Sequence, residues 1–270
     1  MDLGHVILLA LIQALTEFLP VSSSGHLALA GFFLGWPYQG LSFDLALHFG
    51  TLTAVLIYYR RDLWKMTEAV LSRSQTESAR QHRQLGWGLV LSTVPALIAG
   101  ASMGDAFAES LRLPLLIAIN LIVFGILLGL ADRYGKQQRD VWSMRYSDAL
   151  LMGLAQVLAL IPGVSRSGIT MTAGLTMGLS RVDAARYTFL MSVPITAAAS
   201  AHGLLSVIQS NESIDVQAFV IGAAVAAIAG LACIHFLLAF LRRAGMWPFV
   251  VYRIALGTIV LIMLARAGAI

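Results

Sequence analysis

The sequence carries little charge. Only 12% of its 270 residues are Asp, Glu, Lys or Arg, whereas 58% are hydrophobic, and ordinary soluble domains contain about 25% charged residues. A soluble globule of this length cannot bury so much apolar surface, so the composition predicts a membrane protein with several spans. Because the length leaves no room for a separate soluble catalytic domain, any chemistry is expected in or beside the bilayer.

Cysteine and early positive charge are also scarce. The one cysteine, Cys233, lies in an apolar run, which excludes a disulfide framework and a cysteine-based metal site. The first Lys or Arg is Arg60. The basic segment that opens a cleavable signal peptide is therefore missing, and we expect none.

Six apolar stretches are long enough to cross a bilayer, which takes about 20 helical residues. They cover residues 42–59, 86–104, 113–131, 187–207, 217–241 and 248–265. Two further apolar regions, 3–36 and 147–180, are interrupted by proline, glycine and serine at 19–25 and 161–168. Their arms are mostly too short to cross, and irregular backbone persists in a membrane only where protein or a water-filled cavity satisfies it. We therefore predict two re-entrant helical hairpins, which enter the membrane, turn near its middle and leave on the same side.

The two hairpins are copies of one another. The segment QALTEFLPVSSSG (13–25) aligns without gaps with QVLALIPGVSRSG (156–168). Three crossing helices separate the copies and three more follow, and an odd number of crossings inverts the second copy. The predicted fold class is an all-α integral membrane protein with an inverted repeat, an architecture known from transporters. Residues 1–132 form the first half and residues 133–270 the second, each with one re-entrant hairpin and three transmembrane helices.

The basic residues predict the orientation of this topology. Of the 18 Lys and Arg residues, only Arg112 and Arg266 fall on one side, and fourteen fall on the other. The fourteen are Arg60, Arg61, Lys65, Arg73, Arg80, Arg83, Arg133, Lys136, Arg139, Arg145, Arg181, Arg186, Arg242 and Arg243. Because cytoplasmic loops are enriched in Lys and Arg, both termini are expected outside. Membrane topology thus explains the excess of basic residues, and no nucleic acid partner is expected.

Ionisable residues also lie within the apolar segments, where insertion costs at least about 2.5–3.5 kcal/mol each. Each therefore requires a partner or a function. They are Glu17, His26, Asp44, His48, Arg166 and Arg253. Around the first break, Glu17 shares a helix face with Gln13, and Ser22, Ser23 and Ser24 occupy helix N-cap positions just before His26. Around the second break the corresponding residues are Ser165, Arg166 and Ser167, with Thr170 one turn later.

Each hairpin thus directs a helix N-terminus, with unpaired N–H groups and a positive dipole end, toward the middle of the membrane. Two such ends, one arginine and several hydroxyl groups suit an oxyanion that carries several charges. The two sides differ, because Glu17 and His26 lie beside a serine on one side and Arg166 lies on the other. This division suits hydrolysis, in which one half holds a phosphate and the other supplies the nucleophile and proton transfer.

Structural roles compete with some of these assignments. Glu17 could serve only as a hydrogen-bond partner for His26 or Arg166. Asp44 and His48, four residues apart on the first span, fit a structural and a functional role equally well. For Arg253 a structural role is favoured.

The two motifs resemble those of a known family. Gln13-xxx-Glu17-Phe-Leu-Pro-Val-Ser-Ser-Ser-Gly-His26 and Pro162-Gly-Val-Ser-Arg-Ser-Gly-Ile-Thr170 are similar to the two motifs of the bacterial undecaprenyl-diphosphate phosphatases, also called bacitracin-resistance proteins. The resemblance continues through 44–51, 178–181 and 248–253 and covers essentially the whole chain. The family has Glu or Gln at the position of Gln13, so this chain is within its pattern.

The resemblance implies a hydrolase of the bacterial cytoplasmic (inner) membrane that removes the terminal phosphate of undecaprenyl diphosphate. The product, undecaprenyl phosphate, carries peptidoglycan precursors, and bacitracin sequesters the diphosphate, so the activity is expected to confer bacitracin resistance. The resemblance also implies action at the outer face of the membrane. By motif, the implied catalytic residues are Glu17, Ser23, His26 and Arg166, and the expected substrate contacts are Gln13, Ser22, Ser24, Ser165, Ser167 and Thr170.

A divalent cation, Mg²⁺ or Ca²⁺, is the cofactor that the resemblance implies. The motifs encode no ligand cage, and Glu17 is their one certain carboxylate, so the cation is expected to arrive with the diphosphate. The expected partners are the polyprenyl diphosphate, membrane lipids and, in a homodimer, a second copy of the chain.

The sequence leaves alternatives open for the nucleophile and for the class of function. The nucleophile is Ser23 with Glu17 or His26 taking its proton, or His26 itself, or a water that His26 activates. A polyprenyl-phosphate flippase, alone or combined with hydrolysis, is the rival function, because transporters also use inverted repeats and broken helices. The acid-phosphatase-like lipid phosphatases are excluded, since the histidine that their third motif needs after Ser-Arg is replaced by Thr172 and Tyr187.

Overall fold

The computed structural model describes residues 2–34, 40–72, 74–103, 111, 113–210 and 214–268. Arg73, Arg112 and the predicted segment ends at residues 36 and 104 lie outside the described residues. Within them the chain forms eleven α-helices and no β-strand. The helices are α1 (Leu3–Phe18), α2 (Ser23–Leu34), α3 (Leu41–Tyr58), α4 (Arg60–Leu71), α5 (Glu77–Ser102), α6 (Pro114–Tyr134), α7 (Tyr146–Val157), α8 (Arg166–Thr176), α9 (Arg181–Ser210), α10 (Val216–Leu241) and α11 (Trp247–Arg266).

Six of these helices, α3, α5, α6, α9, α10 and α11, are long and apolar enough to cross a membrane. They coincide with the six predicted spans, so the prediction of a multi-pass membrane protein is confirmed. The largest shift is at α5, which begins at Glu77 rather than at residue 86. The hydroxyl of Thr76 accepts a hydrogen bond from the N–H of Ala79 there, and this cap starts the helix within a polar segment that hydropathy alone does not mark.

The basic segment 60–83, which lies between the first two predicted spans, contains a helix, α4. Met66 and Ala69 are buried on the side of α4 that packs against α5. The guanidinium of Arg83 donates hydrogen bonds to the carbonyl oxygens of Ala69 and Ser72 at the end of α4. The burial of one apolar face and the hydrogen bonds from Arg83 to the last carbonyl groups together stabilise this short helix.

Both interrupted regions break where the sequence predicts, and the two breaks share an unusual backbone. Ser22 precedes α2 with φ of 79°, and Ser165 precedes α8 with φ of 74°. Such angles cost non-glycine residues about 1–3 kcal/mol. The cost is partly offset because each hydroxyl group accepts a hydrogen bond from the first turn of its helix, from Gly25 and Gly168 respectively. Ser22 and Ser165 occupy equivalent places in the two aligned motifs.

The two breaks lie against each other in the interior. The hydroxyl of Ser167 donates to the carbonyl oxygen of Leu19 at 3.0 Å. The side chain of Arg253 on α11 is completely buried and donates to five carbonyl groups from both breaks and from α6. These belong to Pro20, Asn120, Leu121, Gly163 and Val164. Arg253 thus has the structural role that the sequence favours, and it fixes both breaks to α6.

The long helices surround these breaks in pairs. Helix α3 packs against α10 and α9, and α6 packs against α11. The first arm of each interrupted region lies on a long helix from the other half of the chain, since α1 packs on α10 and α7 packs on α5. Phe18, at the end of α1, meets Phe189 of α9 edge to face with ring centroids 5.5 Å apart, which closes the core directly beneath the first break.

Candidate active site

The polar centre of the molecule is built around the carboxylate of Glu17, the last but one residue of α1. Its Oε2 accepts hydrogen bonds from the hydroxyl of Ser23 at 2.7 Å and from the amide nitrogen of Gln13 at 3.2 Å. Its Oε1 accepts one from Nη2 of Arg166 at 2.7 Å. Glu17 is only 9% exposed, so this carboxylate is held by three donors with little help from water.

The two breaks bring these groups together. Glu17 and Gln13 lie one turn apart on α1, Ser23 begins α2, and Arg166 begins α8. Because both α2 and α8 start at the contact between the breaks, their N-terminal N–H groups and positive dipole ends are directed to the same region. Nη1 of Arg166 is buried and makes no hydrogen bond to any residue that the structure describes. The site therefore keeps one guanidinium donor available for an anion.

A cavity of about 330 Å³ adjoins this centre. Eight of the residues singled out from the sequence line it. They are Glu17, Ser23, Ser24, Asp44, His48, Ser165, Arg166 and Ser167. Asp44 and His48, for which the sequence left structural and functional roles open, face the same cavity as the serine and the arginine.

His26 is not among the residues that line this cavity. Its Nδ1 lies 2.7 Å from the carbonyl oxygen of Ser22, and its Nε2 lies 2.6 Å from the hydroxyl of Tyr252 on α11. The two rings stack with centroids 5.6 Å apart. Since a carbonyl group only accepts, Nδ1 carries the proton and Nε2 accepts from the tyrosine in the neutral ring. The imidazole is thus directed toward α11, and Glu17 is the group positioned to take a proton from Ser23.

Three expected substrate contacts also lie outside the lining. Ser22 is 1% exposed, and its hydroxyl caps α2. Thr170 is fully buried; its hydroxyl donates to the carbonyl oxygen of Arg166 and accepts from Thr188. Gln13 is fully buried beneath Glu17. Their direct contact with a substrate stays a prediction, while their observed bonds support the groups that face the cavity.

Sequence reasoning missed part of the cavity wall. Thr196 and Ser200 of α9, Thr16 of α1 and the apolar residue Leu45 of α3 also line it. The hydroxyl of Ser200 is buried and has no hydrogen-bond partner among the described residues. Ser200 is one of several serines in α9, and nothing in the sequence indicates that its face of the helix meets the two breaks.

The described residues do not form a protein cage for a metal ion. No group of three or more His, Cys, Asp or Glu side chains within them is arranged to hold one. Glu17 has both oxygens engaged by Ser23, Gln13 and Arg166. The donor set fits an anion that brings its own cation better than a dedicated metal site.

Comparison with known proteins matches this sequence to one family. Residues 6–259 match the family model described as bacitracin resistance protein BacA. The chain belongs to this family. It is 45% identical to the undecaprenyl-diphosphatase of Teredinibacter turnerae. This alignment of 262 residues covers 97% of this chain and 99% of that protein. The undecaprenyl-diphosphatase of Trichlorobacter lovleyi is 47% identical over 266 residues, or 98% of each chain, and that of Alteromonas mediterranea is 44% identical over 261 residues, 97% of this chain and 98% of that protein.

Membership in the BacA family gives the broken segments a functional context. Because the match spans both breaks, five candidate spans and the first part of the sixth, the family is shown for the whole described site and not for one motif. The resemblance of the two motifs to this family is therefore confirmed over nearly the whole chain.

Proposed function

We propose that this protein hydrolyses undecaprenyl diphosphate to undecaprenyl phosphate and inorganic phosphate. The observation that carries the proposal is the contact of the Ser23 hydroxyl with Glu17, beside two helix N-termini and an arginine with one donor nitrogen that no described residue pairs. The names of the relatives point to the same substrate. A flippase without hydrolysis is not favoured, because carrying a lipid requires no serine activated by a carboxylate.

In the proposed mechanism Ser23 Oγ attacks the terminal phosphorus while Glu17 accepts the hydroxyl proton. The bond from that phosphorus to the bridging oxygen breaks, and undecaprenyl phosphate leaves. Arg166 Nη1 and the N–H groups that begin α2 and α8 stabilise the charge on the phosphoryl oxygens. Glu17 then gives that proton to the departing lipid phosphate, takes a proton from the water that attacks the phosphoserine, and returns it to Ser23 Oγ as inorganic phosphate leaves. The distance of 2.7 Å from Ser23 to Glu17 supports this route over one in which His26 takes the proton.

The substrate is proposed to enter from the outer face of the inner membrane. The cavity is lined by residues 41–48 of α3 and 195–203 of α9. These are the halves of the two helices away from Arg60 and Arg181, at the basic ends of α3 and α9. Since the positive side is cytoplasmic, the cavity opens outward and both termini lie outside.

Both interrupted regions are proposed to be re-entrant hairpins related by an inverted repeat. Their first arms, α1 and α7, are too short to count as spans, yet both expose leucine or isoleucine at aligned positions. The exposed pairs are Ile7 and Leu150, Leu8 and Leu151, Leu11 and Leu154, and Leu15 and Leu158, the last of which directly follows α7. Matching apolar faces suit contact with lipid on both arms. The reciprocal packing of α1 on α10 and α7 on α5 and the similar φ angles of Ser22 and Ser165 support the repeat. The homodimer stays a prediction.

A divalent cation is proposed to act with the diphosphate. Mg²⁺ prefers phosphate oxygens and water, and it would neutralise charge on the substrate when bound, while Arg166 and the helix ends bind the remaining oxygens. Purified protein is expected to lose phosphate release in EDTA and to regain it with Mg²⁺ or Ca²⁺. Unchanged turnover in excess chelator would contradict the proposal.

The experiment that tests the function is phosphate release by purified protein in detergent. No second compartment exists there, so a flippase alone releases nothing. We expect undecaprenyl phosphate and inorganic phosphate in equal amounts, and none from the Glu17→Gln variant, which keeps the shape of the side chain but not its basicity. Absence of phosphate release by folded wild-type protein with Mg²⁺ would overturn the proposal.

A further inference from the structure

The amide of Gln13 links the catalytic carboxylate to a histidine from another helix. Nε2 of Gln13 lies 3.2 Å from Oε2 of Glu17 and 3.3 Å from Nδ1 of His48 on α3. Gln13 is completely buried, and its Oε1 has no hydrogen-bond partner among the described residues. All of its hydrogen bonding to described side chains is therefore made through the nitrogen.

The chemistry of these atoms determines which of them donates. The ionised carboxylate of Glu17 only accepts hydrogen bonds, so the nitrogen of the Gln13 amide, and not its oxygen, must face it. The same nitrogen only donates, so Nδ1 of His48 must accept and carries no proton. In the neutral ring the proton is then on Nε2, which fixes one tautomer of His48.

We propose that His48 is a positioning residue for the hydrolysis, and this rests on the proposed function. Its Nδ1 lone pair provides the second acceptor that holds the amide nitrogen of Gln13 on Glu17. A buried amide oxygen without a partner is unfavourable, so this orientation of Gln13 persists because its nitrogen has two acceptors. Without His48, Glu17 alone holds the amide, which can then turn away, and the catalytic carboxylate loses a donor on the oxygen that also receives the proton of Ser23.

Kinetics of three single variants test the proposal. His48→Leu removes the acceptor and is expected to lower kcat about tenfold while KM stays within about twofold, because the affected bond supports the catalytic base. His48→Gln can present an oxygen to Gln13 and is expected to keep kcat within about threefold of wild type. His202→Leu, which removes an exposed histidine of α9 that does not line the cavity, is the control and leaves both constants unchanged.

A double-mutant cycle tests whether His48 acts through Gln13. Once Gln13→Leu has removed the amide, adding His48→Leu is expected to lower kcat by less than about twofold. A full tenfold loss in that background, or a raised KM with normal kcat in His48→Leu, overturns the proposal, the latter because it means that His48 binds substrate directly. If wild-type protein releases no phosphate at all, the proposed function fails; if it does and His48→Leu matches it, only this inference fails.

The tautomer of His48 gives a readout that needs no substrate. Protein with ¹⁵N-labelled histidine is expected to show a neutral His48 with its proton on Nε2, assigned by comparison with His48→Gln. In Gln13→Leu the constraint is lost, and the signals are expected to move toward a mixture of tautomers. A wild-type ring protonated at Nδ1 overturns the proposal whatever the kinetics show, and size-exclusion profiles of all variants confirm that they are folded.

Discussion

Replacement of Arg166 separates two roles of its guanidinium group. Nη2 pairs with Glu17 at 2.7 Å, while Nη1, beside the cavity, has no hydrogen-bond partner in the described part of the chain. Lysine keeps the charge but has a single nitrogen. It cannot contact Glu17 and a phosphoryl oxygen together, as the two Nη atoms of the planar guanidinium group can. Arg166→Lys should therefore retain the ion pair and lose the contact to phosphate.

The expected size of the effect follows from one charge-assisted hydrogen bond. Such a bond is worth about 1.5–3 kcal/mol, so kcat/KM should fall about ten- to hundredfold. Arg166→Met should also destabilise the fold, because it leaves Glu17, 9% exposed, without its cation. Breaking a buried ion pair costs about 3–5 kcal/mol, and the lower end applies since the Arg166 side chain is 18% exposed.

The assay measures phosphate release and the unfolding temperature on the same preparations. The double variant Glu17→Gln with Arg166→Met removes both charges, and we expect it to recover the unfolding temperature but no turnover. Folded Arg166→Lys protein with near-normal kcat/KM would refute the assignment of Nη1 to phosphate, and a stable Arg166→Met protein would refute the estimated cost of leaving Glu17 unpaired.

Three further predictions concern the nucleophile, the interior and acid stability. Rapid-quench trapping with substrate labelled in the terminal phosphate should yield phosphoserine, and Ser23→Ala should lower kcat at least about a thousandfold; a phosphohistidine would transfer the role to His26. Arg253→Met leaves five carbonyl oxygens without their donor and should destabilise the protein by at least about 3 kcal/mol, seen as a lower Tm; an unchanged Tm would count against its structural role. Burial alone would raise the pKa of Asp148, but hydrogen bonds from Arg139 and from a backbone N–H hold that pKa below its ordinary value. Its contribution to stability is therefore present at neutral pH and lost as the pH falls through the lowered pKa, below about 4, so wild type should lose more Tm than Asp148→Asn in that range, and equal losses would exclude the carboxylate as the cause.

The sequence predicts the helices and breaks well because the bilayer imposes a simple rule of length and hydropathy. The two breaks are also recognisable, since proline, glycine and capping serines act within a few residues. Glu17, Ser23 and Arg166 could be grouped because the repeat itself implies that the breaks meet.

Contacts that depend on which helix faces which were beyond the sequence. The partner of His26 is Tyr252, 226 residues away along the chain, and no local pattern indicates that pairing. Ser200 is likewise one serine among several in α9, and only the packing of α9 against α3 brings it to the cavity. Local sequence determines the position of a side chain on its own helix, but tertiary packing determines which neighbour it contacts.

The five bonds of Arg253 have a consequence for motion. Alternating access requires the two halves of a transporter to rock against each other about a central site. Here the guanidinium of Arg253 binds both breaks and α6 in a region that is closed to water. Rocking would break these bonds and leave a buried cation and several carbonyl oxygens without partners. The five bonds of Arg253 therefore oppose such rocking, and a lipid phosphate is expected to leave by the side on which it arrived.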